Sequence, residues 1–99
     1  MPRPRIPRCI SNTPCATYFK PRGIPMPLLR ESTLGMEELE ALRLADAMGM
    51  AAGEAAAAMG VSRHTFGRVL KKARRIVAES LVYGHALRIE GGHYTIIKE

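Results

Sequence analysis

From Gly35 onward the apolar residues recur at helical spacing. "MEELEALRLADAMGM" carries Leu39, Leu42 and Ala45, with Met36 and Met48 on the same side, which predicts a helix stopped at Gly49. Glu37, Glu38 and Glu40 fall in its first turns, where the helix dipole favours negative charge. A shorter alanine-rich helix is predicted over 52–59, weakened at Gly53. A long helix runs from Ser62 to about Val82, with Phe66, Val69, Leu70, Ala73 and Val77 turned inward. Met36, Met48, Met50 and Met59 read as core filler. The tail "ALRIEGGHYTII" alternates instead, predicting a β-hairpin about Gly91-Gly92. It would pair Ile89 with Tyr94 and Leu87 with Ile96 on the face packed against the helices, and Arg88 with Thr95 and Glu90 with His93 on the other. "ATYFK" at 16–20 has strand composition and is a candidate third strand.

The first thirty residues break this regularity. All seven prolines lie there, so the segment should be extended or irregular. Residues 1–15 read as a flexible basic arm and 16–99 as a single domain. The arm could trail into a minor groove, but a tail adding non-specific affinity is the plainer reading.

Composition narrows the class. A hydrophobic content of 46% excludes wholesale disorder. No apolar run is long enough to cross a bilayer, and "MPRPRIPR" is not a signal peptide, so a cytoplasmic protein with no membrane partner is expected. Cys9 and Cys15 are too few for a disulfide framework and are expected to stay reduced. Their spacing is also unlike the close ligand pairs of a zinc site. Ser62 and His64, two apart on a helix, are no catalytic pair. No phosphate-cradling loop or paired-carboxylate pocket is visible, so neither enzyme activity nor a cofactor, metal or small-molecule ligand is expected.

Charge is unevenly distributed. Residues 1–30 and 61–78 each carry six basic and no acidic groups, whereas 31–60 carry six acidic and one basic. Two concentrated basic segments suggest a polyanionic partner.

The turn before the long helix sharpens this. Ala55-Ala56 are small where a crossing helix would come closest, Gly60 tolerates a left-handed backbone, Val61 tucks inward, and Ser62 can cap the next helix. Small-x-x-x-Gly-Val-Ser-x-x-x-Phe-x-x-Val is the spacing of a helix-turn-helix. Opposite Phe66, the residues His64, Arg68, Lys71 and Arg75 form a stripe without an acid. Residues early in such a second helix reach base edges, and later ones meet phosphates. Arg63, His64, Thr65 and Arg68 are therefore the expected readers, with Ser62 at the start of the helix and Arg68 suited to a bidentate contact with guanine. Lys71, Lys72 and Arg75 are expected on phosphates, and Arg74 on the solvated flank.

"TYFKPRGIP", "MEELEALRLAD", "EAAAAMGVSRHTFGRVLKKARR" and "ALRIEGG" together resemble the UPF0251, or DUF134, family of small bacterial and archaeal proteins, over about residues 16–92. The resemblance implies a predicted DNA-binding protein whose helix-turn-helix is similar to region 4 of sigma-70 factors. It brings no operator or ligand. The chain departs from the family pattern at Gly53 with its alanine run, and at "CISNTPC".

The expected fold is thus mainly α: a three-helix, sigma-70 region 4-like core with a C-terminal β-hairpin, joined by a strand from 16–20. The expected function is double-stranded DNA binding as a transcriptional regulator, with two copies pairing on a two-fold site through the hairpin edge or the C-terminal half of the long helix. The alternatives are a sigma-like adaptor docking on the transcription machinery or an acidic partner, and a metal- or redox-responsive regulator using Cys9 and Cys15.

Overall fold

The glutamate-rich start of the first helix is fixed by one of its own side chains. The Gly35 backbone N–H donates to Glu38 Oε1 at 2.7 Å, satisfying a donor at the helix end. In the computed structural model, which describes residues 14–91, this helix, α1, spans Met36–Leu42. It runs on through a π-helical turn, Arg43–Ala47, where the Met48 N–H reaches the Arg43 carbonyl at 2.8 Å. Gly49, at φ +74°, ends it.

Helix α1 is buried on two sides. Met36, Leu39 and Leu42 pack towards the sheet, while Ala41, Leu44 and Ala45 pack towards the next two helices. The deepest positions, Ala41 and Leu44, are therefore not the stripe that the sequence pattern picks out. Met48 is a correction, since it is 58% exposed rather than core. A π turn holds one residue more than an α turn, which rotates the residues after it off the predicted face. Met36, Met50 and Met59 do pack against core residues.

Helix α2, Ala52–Met59, and helix α3, Arg63–Tyr83, are joined by a tight turn. Gly60 takes φ +71° there, in the left-handed region a side chain disfavours. Ala55 and Ala56 are buried where α3 passes, and Phe66 from α3 fills the space against Ala41 and Leu44. A second cluster joins Ala73, Ile76 and Val77 of α3 to Leu34, Leu87 and Ile89. Helix α3 thus belongs to both cores. No helix among the described residues is long and apolar enough to cross a membrane.

The β structure differs from the predicted hairpin. Strands β1 (Tyr18–Phe19), β2 (Glu31–Leu34) and β3 (Ala86–Ile89) form one sheet in the order β1-β3-β2. β1 runs antiparallel to β3 with Tyr18 opposite Arg88, and β2 runs parallel with Thr33 opposite Arg88. Both edges of β3 are therefore occupied by strands from the first third of the chain. The predicted partners Tyr94, Thr95 and Ile96 lie outside the described residues. The expected strand within 16–20 is present. Strand β2 has no counterpart in the sequence expectation, because "ESTL" is short and polar, but parallel pairing to β3 spans all three helices and so needs no local turn signal.

Leu87 and Ile89 face the helices as expected. On the outer face, Arg88 meets Glu31 at 2.9 Å and lies 4.9 Å over the Tyr18 ring, while the Tyr18 hydroxyl donates to Glu31 at 2.7 Å. Hydrogen bonds from Arg88 and Tyr18 hold the Glu31 carboxyl below its ordinary range, and the Glu31 acceptor raises the Tyr18 phenol.

The basic arm over 1–15 lies almost wholly outside the described residues. Cys15 is disulfide-bonded, which corrects the expectation of a reduced thiol. Cys9 lies outside the described residues.

Candidate nucleic-acid interface

The surface of interest is the solvent side of α3, and its position is set by the turn that precedes it. Ser62 adopts an extended backbone, and its Oγ accepts from the Thr65 N–H at 3.0 Å. The same hydroxyl donates to Thr65 Oγ1 at 3.1 Å. Ser62 and Thr65 are therefore occupied with each other, and their observed work is to start the helix. With Phe66 locked in the core one residue later, the first turns of α3 have a fixed orientation.

Six cations on α3 divide into two groups. Arg74 forms two hydrogen bonds to Asp46, at 3.0 and 2.7 Å, tying α3 to the π turn. These bonds hold the Asp46 carboxyl below and the Arg74 guanidinium above their ordinary ranges. Lys72 lies 3.3 Å from Glu38, the carboxylate that caps α1. Arg75 meets Glu79 one turn later at 3.2 Å. By contrast, Arg63, Arg68 and Lys71 are exposed and form no ion pair with a described residue. His64 is exposed beside them.

Arg63 has a neighbour of another kind. A methyl group placed on Gly53 would sit 3.7 Å from the Arg63 guanidinium, so this side chain lies across the start of α2. A side chain at Gly53 would make only ordinary van der Waals contact with it, so the glycine that weakens α2 is not required by Arg63. Arg63 thereby joins the start of α2 to the start of α3 on one surface.

Gly67 is the position that sequence reasoning passes over. It stands between His64, Arg68 and Lys71 in the exposed part of α3, with nothing within 4 Å of where a Cβ would be. A glycine inside a helix costs roughly 0.5–1 kcal/mol relative to alanine and allows close approach of another molecule to the backbone. The signal that could have found it is this cost, incurred where the packing asks for no glycine.

Of the eight expected site residues, the structure brings His64, Arg68 and Lys71 together as unpaired polar groups on one face, with Arg63 at its edge. Ser62 and Thr65 form the cap, and Lys72 and Arg75 hold carboxylates. Among the described residues no three potential metal ligands come together.

Comparison with known proteins gives consistent matches. A family model described as "Protein of unknown function DUF134" covers residues 1–97. The chain is 54% identical over 94 residues to a UPF0251 protein of Desulfosudis oleivorans, spanning 95% of this chain and 68% of that protein. It is 50% identical over 97 residues to a UPF0251 protein of Moorella thermoacetica, spanning 98% of this chain and 65% of the relative. A UPF0251 protein of Dehalococcoides mccartyi is 52% identical over 96 residues, 97% of this chain and 82% of its own length. The chain therefore spans about two thirds of the first two relatives' length. No solved structure matches it.

Proposed function

The chain belongs to the DUF134 (UPF0251) family, and we propose that it binds double-stranded DNA as a transcriptional regulator. In this reading α2, the turn from Gly60 to Ser62, and α3 act as a helix-turn-helix of the sigma-70 region 4 kind, working in the cytoplasm. The observation that carries it is the selective neutralisation of α3. Carboxylates engage Lys72, Arg74 and Arg75, while Arg68 and Lys71 stay exposed beside His64, with no ion pair to a described residue. A helix whose charge served solubility alone would have no reason to leave its cations free only at the end held by a tight turn.

Arg68 then reads guanine through its two-pronged guanidinium, and His64 reaches the adjacent base edge. Lys71, one turn on, meets phosphate and fixes register. Arg63 lies where the start of α2 approaches the same backbone strand. Lys72 and Arg75 contribute only by exchanging a carboxylate for a phosphate, so they rank behind Lys71.

Selection of bound duplexes from a random-sequence pool tests this. The expected result is an enriched motif of a few base pairs per chain, with binding that weakens as salt rises. Salt-sensitive binding without enrichment would overturn sequence-specific recognition. No binding at all would overturn the DNA reading and leave the adaptor alternative.

A further inference from the structure

Direction around α3 does not explain which lysine is left without a carboxylate. At about 100° per residue, Lys71 stands roughly 60° to one side of Arg68 and Lys72 roughly 40° to the other. Lys72 is also four residues beyond Arg68, and so its neighbour one turn on. By direction it belongs with His64, Arg68 and Lys71. What sets it apart is Glu38 of α1, whose Oε2 lies 3.3 Å from the Lys72 ammonium.

Glu38 cannot follow the lysine. Its side chain is 11% exposed, against 70% for Lys72, and its Oε1 accepts from the Gly35 N–H at 2.7 Å. One carboxylate oxygen holds the start of α1 while the other faces α3. The lysine can swing into solvent, but the carboxylate stays beside this face of α3.

We infer that Glu38 is a positioning residue that sets specificity: acting through Lys72, it keeps that lysine out of sequence-independent phosphate binding. This rests on the DNA-binding reading of α3 and adds to it a residue that touches no DNA. A fixed carboxylate opposes phosphate in two ways. To reach a phosphate, the ammonium has to leave Glu38, whose largely buried carboxylate then loses its charged partner. A phosphate that comes to Lys72 in place meets the carboxylate behind it. Neither cost falls on Arg68 or Lys71, which have no ion pair with a described residue.

The two costs weigh unequally on different duplexes. Phosphate contacts supply essentially all binding to unrelated DNA, so each contact withheld weakens it. On a selected duplex Arg68 and Lys71 fix the register, and Lys72 has only the phosphate that lies beside it there. Holding Lys72 back therefore weakens non-specific binding more than specific binding.

Glu38→Gln in the full chain tests this. Its amide oxygen still accepts from the Gly35 N–H, so the cap survives while the charge beside Lys72 is gone. Titrations of a selected and an unrelated duplex at several salt concentrations give the readout. E38Q should bind the unrelated duplex about five- to tenfold more tightly at roughly 0.1 M salt, with a salt slope steeper by about one. The gain on the selected duplex should be smaller, so the ratio of the two affinities falls. In a Lys72→Ala background the gain should disappear.

Three further variants isolate the cause. Glu90→Gln makes the same change of net charge at an exposed residue with no ion pair to a described residue, and it should move both affinities far less. Asp46→Asn releases Arg74, which stands roughly 120° around the helix from Arg68, and should also gain less than E38Q. Glu38→Asp keeps a capping carboxylate but draws it back from Lys72 by one methylene. It should shift binding in the same direction by less, and it carries the test if E38Q melts well below the parent. No gain, equal gains on the two duplexes, or a gain that persists without Lys72 would overturn the proposal and leave the DNA reading standing. A parent that binds no duplex, or enriches none, would overturn both.

Discussion

The two halves of α3 are one continuous helix with different supports and different surfaces. The first half is held by Phe66, seated among Ala41, Leu44, Ala55 and Ala56. It presents Arg63, His64, Arg68 and Lys71 to solvent. The second half rests on the sheet through Ala73, Ile76 and Val77, and presents Leu81, Val82 and Tyr83. Between them lie the cations bound to Glu38, Asp46 and Glu79. Net charge is therefore a poor guide to this helix, because the acidic stretch before it selects which cations remain free. The acids of α1 and the π turn are partners of Lys72 and Arg74, and with Glu79 on Arg75 they confine the cations without an ion pair among the described residues to the end set by the turn.

The largest effect that separates the halves should be in stability. Phe66→Ala opens a cavity where three helices meet, and a loss of about 3–5 kcal/mol is expected in urea unfolding. Val77→Ala, on the half-buried sheet side, should cost about 1 kcal/mol. Comparable losses at the two sites would mean that the first half has no special anchor, and its fixed orientation would lose its physical basis.

A second contrast lies in DNA binding and is of intermediate size. Arg68→Ala should lose roughly 1–3 kcal/mol of discrimination at one base pair. Lys71→Ala should weaken binding to all duplexes alike and reduce the salt slope by about one. Lys72→Ala should change DNA affinity least, because its ammonium already faces Glu38. Binding measured on matched and single-substituted duplexes at several salt concentrations distinguishes the three. If Lys72→Ala proved as damaging as Lys71→Ala, the division into free and engaged cations would fail.

Much of this architecture is legible in the sequence because it is written in local chemistry. Gly60, Val61 and Ser62 prescribe a turn and a cap within three residues, and the span of α2 comes from the alanine run between two breakers. The stripe opposite Phe66 comes from period alone. The illegible parts depend on residues far apart in the chain. Strand β2 has little strand character and is held by pairing with β3, more than fifty residues later. The Gly91-Gly92 turn signal is local and plausible, yet both edges of β3 go to distant strands. The π turn that exposes Met48 has no residue signature of its own. At the site, the spacing places eight residues on a helix but cannot tell that Lys72 and Arg74 find acids, since Glu38 and Asp46 sit in another helical segment; only the Arg75–Glu79 pair, four apart on α3, is open to the same spacing argument.

The smallest expected effect is the most discriminating, since it has opposite signs in two measurements. Gly67 in the first half and Ala78 in the second are both small, exposed residues on α3. Gly67→Ala meets no protein atom within 4 Å, so it should stabilise the fold by about 0.5–1 kcal/mol through the better helix former. If the reading half lies in a groove, the same methyl group meets the duplex, and affinity should fall while stability rises. Ala78→Gly should do neither: it loses a similar amount of stability and leaves duplex binding unchanged, because Ala78 lies on nearly the same face but about 16 Å further along α3, beyond the proposed DNA contacts. Thermal unfolding and duplex titration of the two variants decide the matter. A Gly67→Ala protein that is more stable and binds as tightly as the parent would mean that the α3 backbone does not closely approach DNA there, and that glycine has been kept for a reason the packing does not supply.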